Sequence, residues 1–407
     1  MSCESASLRA CLLALLLGLM ALAFLASCGG GGQEGTLTVS PVGAVQDAIA
    51  FVGRETESLP AVYVVSAEGG KQRRITREDD DEAHFWPSWS PDGRQLAFIA
   101  WPRPPRATAV PQAGETPTPG TAEPATPAAE DMRARRLVAV NVDGGDERTL
   151  ADTVLFYSST STFRWSPDGS RIVYMTVVDV NEQPLRSLLQ VVDVATGGQI
   201  AFTEQRLGYL PAWSPDGTQI AFGAYVGEPD ESGQQESEIF VMDSDGSNLR
   251  QLASRPGPDL SPAWSPDGKR IAWWGAEPGG KGNLLFLVDI ETGEMTSLGK
   301  GADPVWSPDS RHSAFVQEQE PPPGLVRTRP DVDILTIDVE TGEQINLTSN
   351  PAHDLWPTWS PDGRQIAFVS DRDSPLGEIY LMNADGSDVR RLTENQMAEL
   401  MLAWSPP

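Results

Sequence analysis

No cysteine occurs beyond residue 28. A disulfide framework is therefore excluded for the body of the chain, and packing must hold the fold. Histidine is almost as scarce: His84, His312 and His353 are the whole supply. Basic residues are outnumbered, with 30 Lys and Arg against 57 Asp and Glu and a formal charge of −27. So acidic a surface opposes nucleic acid and anionic headgroups, and it favours basic or cationic partners. No long window shows helical periodicity, and no Gly-x-Ser-x-Gly nucleophile elbow occurs. What the chain does hold is turn formers and large aromatics, with 38 Gly, 34 Pro and 12 Trp. That mixture suits many short strands joined by tight turns.

The one long apolar run is CLLALLLGLMALAFLASC at 11–28, followed by GGGGQEG. A short apolar region closed by small residues has the form of a secretory signal. Leu25-Ala26-Ser27-Cys28 resembles the bacterial lipobox, which implies cleavage before Cys28 and acylation of its thiol. The resemblance divides the chain into a lipoprotein signal peptide (1–27), a Gly-rich tether (28–44) and the remainder, 45–407. It also implies attachment to a membrane through the lipid, at the bacterial cell envelope, facing the periplasm or the exterior.

Trp-Ser-Pro recurs with its tryptophan at 89, 165, 213, 264, 306, 359 and 404. Successive motifs stand 42 to 53 residues apart except the first two, which are separated by 76. That interval holds a Pro/Thr-rich segment, 102–131, almost free of large apolar residues and expected to be a disordered insert. Each repeat reads as strand, Pro-Asp-Gly turn, strand, a second turn built on Asp-Gly or Thr-Gly, and two further strands. In PTWSPDGRQIAFVS, Pro361 presets φ, Asp362 accepts local backbone bonds and Gly363 supplies the left-handed residue. Four antiparallel strands per repeat of this length specify an all-β fold, the β-propeller, with the tryptophans at blade–blade contacts.

The final motif, MLAWSPP, lacks the rest of its repeat, while 49–76 holds three strands with no Trp-Ser-Pro before them. The two ends are expected to form one composite blade, which closes a seven-bladed ring and removes two open sheet edges. Six blades are the alternative, because the sixth repeat has Ser310 in place of the turn Gly and Ser313 in place of a strand Ile.

The phrase PxWSPDGxxIAF…EIYxMNxDGSxxRRLT resembles the TolB-type, WD-like propeller repeat, over nearly all of 45–407. The same repeat type occurs in the propellers of prolyl oligopeptidase and dipeptidyl-peptidase relatives and in oligogalacturonate lyases. TolB-type proteins carry an α/β domain ahead of the propeller, and 33–45 is too short to be one. The peptidase relatives need a hydrolase domain, and no nucleophile elbow is present. The resemblance therefore points to a binding or scaffold module for a protein, peptide or glycan, with no cofactor and no catalytic residue assigned. The alternative is a propeller enzyme working at the channel mouth, such as a polysaccharide lyase.

Five residues before each motif tryptophan stand, in ring order, Glu399, His84, Thr160, Gly208, Asp259, Gly301 and Asp354. His84, His353, Asp354, Glu399 and Asp259 are thus the candidate channel-mouth binding residues. Carboxylates beside imidazoles suit a divalent cation or a basic peptide group. The structural reading is that they cap loops and bond the backbone of the neighbouring blade. The acidic turns DSDGSN, NADGSD and NVDGGD place Gly fourth rather than sixth and run straight into strand, so they read as hairpins and not as calcium loops.

Overall fold

The computed structural model describes residues 47–55, 58–78, 81–102, 135–154, 161–179, 186–202, 207–227, 236–255, 257–276, 282–319 and 330–407. The signal peptide, Cys28, the tether and 103–134 lie outside the described residues; Pro102, expected to open the insert, ends a strand instead.

The described chain forms 28 strands in seven four-stranded antiparallel sheets. Blade 1 is composite. It joins β1 (Ala48–Arg54), β2 (Ala61–Ser66) and β3 (Arg73–Arg74) to β28 (Ala398–Trp404), in the order β28-β1-β2-β3. Blade 2 is β4 (Glu82–Trp89), β5 (Gln95–Pro102), β6 (Arg136–Asn141) and β7 (Arg148–Asp152). Blade 3 is β8 (Phe163–Trp165), β9 (Arg171–Asp179), β10 (Arg186–Asp193) and β11 (Gln199–Phe202). Blade 4 is β12 (Leu207–Trp213), β13 (Gln219–Val226), β14 (Glu236–Asp243) and β15 (Arg250–Gln251). Blade 5 is β16 (Asp259–Trp264), β17 (Arg270–Ala276), β18 (Asn283–Asp289) and β19 (Met295–Lys300). Blade 6 is β20 (Ala302–Trp306), β21 (His312–Gln319), β22 (Asp331–Asp338) and β23 (Gln344–Asn346). Blade 7 is β24 (Asp354–Trp359), β25 (Gln365–Ser370), β26 (Glu378–Asn383) and β27 (Arg390–Arg391).

The first strands touch in succession right round, from β28 through β4, β8, β12, β16, β20 and β24 back to β28. The ring is closed and has seven blades, so the six-bladed alternative falls. The degraded sixth repeat still builds a complete blade. Ser310 adopts the left-handed φ of the missing Gly (61°), and its hydroxyl accepts the Asp267 N–H of the preceding blade at 2.9 Å.

The motif does its structural work between blades. All seven tryptophans are buried at 7–9% exposure. The indole N–H of Trp89, Trp165, Trp213, Trp306 and Trp359 donates to Ala403, Ser88, Arg164, Ala263 and Val305 respectively, at 2.9–3.2 Å. Each acceptor is the carbonyl just before the tryptophan of the preceding blade. The following turn has a fixed wiring: Ser360 Oγ donates to Asp362 Oδ1 at 2.7 Å and accepts the Gln365 N–H at 2.9 Å. Gly363 takes φ 70°, and the place of its absent Cβ is 3.5 Å from Pro308 of the blade before. At closure Pro406 plays that part for Gly93.

The core lies in these seams. Ile49, Phe51 and Trp404 of blade 1 pack with Ala367, Ile379 and Leu381 of blade 7. The second strands do not alternate between buried and exposed residues, since Ile366 to Ser370 are all buried. The cause is geometric: a blade between two neighbours has no solvent face, so its central strands are apolar on both sides.

Candidate functional site: paired carboxyls at the blade junctions

Among the described residues, none of His84, Asp259, His353, Asp354 and Glu399 stands open to solvent. Glu399, Asp259 and Asp354 are 0% exposed and His84 is 2%, and each sits where one blade meets the next. Thr160 lies outside the described residues.

At the junction of blades 7 and 1, Glu399 Oε2 accepts the Ile379 N–H (3.0 Å) and lies 2.5 Å from Thr393 Oγ1. Its Oε1 accepts from Asn395 Nδ2 (2.6 Å) and Gln72 Nε2 (3.2 Å). Behind Thr393 stands a second fully buried acid, Glu378, whose Oε2 is 3.0 Å from the same hydroxyl. Arg391 pairs with the other oxygen of Glu378 at 2.7 Å.

The arrangement repeats. Cross-strand register places Glu378 diagonal to Phe368, Glu238 to Phe222 and Asp333 to Phe315, so all three occupy one position of the third strand. Each faces a first-strand acid of the next blade: Glu378 with Glu399, Glu238 with Asp259, Asp333 with Asp354. The residue four before each first-strand acid links the two. Its backbone N–H bonds the third-strand acid, from Asn395 to Glu378, Arg255 to Glu238 and Asn350 to Asp333. Its side chain holds the first-strand acid, with Asn395–Glu399, Asn350–Asp354 and Arg255–Asp259 each at 2.6 Å. One arginine serves each pair: Arg391 on Glu378, Arg255 on Asp259 and, at 3.0 Å, Arg372 on Asp354.

Two buried acids with one cation leave a carboxyl that does not ionise in its ordinary range. Burial pushes Glu399 up to about 7, against its hydrogen bonds with Thr393 and Asn395, and the charge of Glu378 adds to the rise. Burial raises Glu238 to about 7 and Asp259 to about 6, in the latter case despite Arg255. Asp333 is raised as well, by burial first. His84 moves the other way: burial, then Arg74 and Arg136, lower it to about 4. It packs edge-on against Phe98, ring centroids 5.1 Å apart, as a neutral core side chain.

These shifts set an expected pH profile. Raised carboxyl pKa values contribute stability that is complete below the ordinary carboxylate range and is lost as pH rises to about 7. The turn aspartates are lowered, Asp309 to about 2, so their contribution holds above their ordinary range and is lost as pH falls. His84, lowered to about 4, favours the folded state as pH rises toward 6.5 and opposes the carboxyls there, one group against several. The melting temperature is expected to peak at mildly acidic pH and fall between about pH 5 and 7; a profile rising to about pH 8 would contradict the paired-acid geometry.

His353 does not join the acids in a cluster. Its Nε2 contacts the Pro330 carbonyl at 2.8 Å and its Nδ1 lies 3.3 Å from Asp371, bridging blades 6 and 7. Among the described residues no group of three or more His, Cys, Asp or Glu is placed to hold a metal ion. The acidic hairpins use their carboxylates locally, as Asp245 does in accepting the N–H and hydroxyl of Ser247 at 2.8 and 2.6 Å.

The position five before each tryptophan marks the first-strand acids but not their partners Glu378, Glu238 and Asp333. The signal was present, since EIY, EIF and DIL stand at equivalent positions in the third strands. Gly275 is a further missed member. A Cβ there would lie 1.7 Å from Arg255 Nη2 and 2.6 Å from Asp259 Oδ1. Gly275→Ala should therefore displace the Arg255–Asp259 pair and destabilise by about 1–3 kcal/mol, read as a lower urea midpoint.

Residues 223–407 match the family model described as the TolB beta propeller domain. Over that span the repeat is similar to the TolB type. In sequence the chain is 30% identical over 249 residues to an uncharacterized peptidase, YuxL, of Bacillus subtilis (strain 168), covering 57% of this chain and 33% of that protein. It is 35% identical over 200 residues to a TolB homolog of Chlorobium chlorochromatii (strain CaD3), covering 45% and 42%. The chain thus spans less than half the length of these relatives. In fold it is similar to an oligogalacturonate lyase in complex with manganese, with TM-score 0.57, 17% identity and 82% and 85% of the two chains covered. It is equally similar to the β-propeller domain of the Trilobed protease from Pyrococcus furiosus, with TM-score 0.57, 12% identity and coverage of 86% and 93%. That propeller is described as having an open velcro topology, whereas this ring is closed by the β28–β1 pairing.

Proposed function

We propose that the protein is a binding module of the bacterial cell envelope, a closed TolB-type ring that engages a protein, peptide or glycan through its surface loops. One observation carries this reading: the carboxyls and imidazoles best suited to chemistry are buried between blades and committed to holding them together. A rigid frame whose polar groups serve its own seams leaves recognition to the loops that the frame displays. The TolB homolog among the relatives supports the envelope location.

The lipid anchor at Cys28 belongs to the same proposal, and several acyl chains on one residue give durable attachment. Cells labelled with palmitate should incorporate it into the wild type and not into Cys28→Ala, which should leave the membrane fraction. Retention of that variant on membranes contradicts the anchor.

The fold similarity to the manganese-bound lyase favours one second reading, a metal-assisted lyase. In-cell crosslinking followed by identification of captured partners tests the binding module, and surface-loop substitutions should abolish capture. Formation of an unsaturated product from pectic oligosaccharides with manganese, lost on metal removal, would replace the binding reading with the lyase.

A further inference from the structure

We propose that the junction between blade 7 and the composite blade is a proton-dependent latch, in which Glu399, Thr393 and Glu378 share protons along one hydrogen-bonded chain that holds the ring shut. Thr393 Oγ1 stands within hydrogen-bond distance of Glu399 Oε2 and of Glu378 Oε2. A hydroxyl has a single proton, so it can donate to one of these oxygens only. If both acids were ionised, the other contact would set two acceptors against each other at 2.5 or 3.0 Å in a site closed to water. One acid must therefore donate.

Arg391 decides which. It pairs with Glu378 at 2.7 Å and meets the negative charge of the two acids there, so the proton resides on Glu399. The chain then runs from Glu399 Oε2–H to Thr393 Oγ1, and from Thr393 Oγ1–H to Glu378 Oε2. Asn395 and Gln72 meet the remaining oxygen of Glu399 without charge. Glu378 on β26 is the charged group that acts on Glu399; Arg391 on β27 acts on Glu378, and Glu394 on Arg391. Across β1 its register partner is Gly53. Nothing among these supplies a second positive charge to a second carboxylate, and the rise of Glu399 toward neutrality agrees with that.

The place matters because it is the end of the ring. Glu399 lies on the last strand and bonds the β2–β3 segment through Gln72, across 327 positions of sequence, as well as the Ile379 N–H of blade 7. Loss of its proton breaks the chain at Thr393 and puts two like charges face to face in the closing seam. Ionisation thereby loosens β28 and β26 together, and the ring opens at its terminal junction before any other.

Hydrogen exchange on the intact protein at pH 5.5 and 8.5 tests this, with each amide corrected for its intrinsic rate. Protection of 378–383 and 398–404 should fall at least tenfold at pH 8.5 while blades 2 and 3 change little. Glu399→Gln keeps a donor to Thr393 and cannot ionise, so protection in both strands should become independent of pH. Glu378→Gln removes the like charge and should move the transition to lower effect at pH 8.5 without abolishing the fold. Equal protection of these strands at the two pH values in the wild type would overturn the latch. So would an undiminished pH dependence in Glu399→Gln.

Discussion

Removal of residues 399–407 is expected to unfold the ring, or to leave a protein melting more than 10 °C below the full chain. The segment is short, but it is the first strand of a blade whose other three strands begin at Ala48. It contributes the buried Trp404 and the partly buried Leu402 to the seam with blade 7, and the buried Met401 to the seam with blade 2. Burial of each such side chain is worth about 1.5–3 kcal/mol, so three remove a large share of the roughly 5–15 kcal/mol that holds a typical domain. Further losses follow at both neighbours. Trp89 loses the Ala403 carbonyl, Ala48 loses its two contacts with Ser405 (2.7 and 3.1 Å), and Gly93 loses Pro406. The strand edge of β1, with its row of unpaired backbone groups, becomes open to other chains, so aggregation should accompany the loss. Supplying a peptide of residues 398–407 should restore part of the stability. A truncated protein that melts with the full-length one contradicts the composite blade.

The second large effect is expected at Trp89. Trp89→Ala empties a buried seam between blades 1 and 2 and should destabilise by about 3–5 kcal/mol, measured by urea unfolding. Trp89→Phe separates the hydrogen bond from the packing. It leaves the Ala403 carbonyl without its indole donor and should cost about 1–2 kcal/mol beyond the packing change. Trp404 and Trp264 provide the internal control. Both are buried to the same degree as Trp89, but their indole N–H groups meet no acceptor. Trp→Phe at 404 or 264 should therefore be milder than at 89, and equal costs at all three would show that the indole bonds do not hold the seams.

Much of this architecture was legible because its determinants are local. Trp359, Ser360, Pro361, Asp362 and Gly363 are consecutive, and their backbone conformation and mutual bonds follow from residue type and spacing. The composite blade was legible for a different reason: an unpaired strand motif at each end of a repeat array has one economical solution. The paired acids were half legible. Glu399, Asp259 and Asp354 stand at a constant distance from the tryptophan, whereas Glu378, Glu238 and Asp333 meet them only after one blade has packed against the next. Periodicity marks a position in a repeat, and a contact across two repeats becomes visible only when their registers are known. Burial was the other quantity hidden from the sequence. A polar residue near a turn suggests a channel mouth, but the seam closes over it, and its chemistry becomes that of a carboxyl sharing a proton. The bulge three residues before the tryptophan was missed altogether. Trp86, Ser261, Asp303, Trp356 and Met401 take positive φ there, with a register shift in each first strand.

Closure across the termini carries the whole account, because the blade count, the burial of Glu399 and the latch all depend on it. Ala50 and Ala403 face each other in the β1–β28 register. Opposed residues in antiparallel strands lie about 4.5–5.5 Å apart at Cα, within the span that a disulfide bridges. With both changed to cysteine in a protein beginning after Cys28, no competing thiol remains. The measurement is free thiol content after air oxidation of the folded monomer. The account predicts complete loss of both thiols within the monomer and a higher melting temperature that returns on reduction. Two persistent free thiols in the folded protein would contradict it.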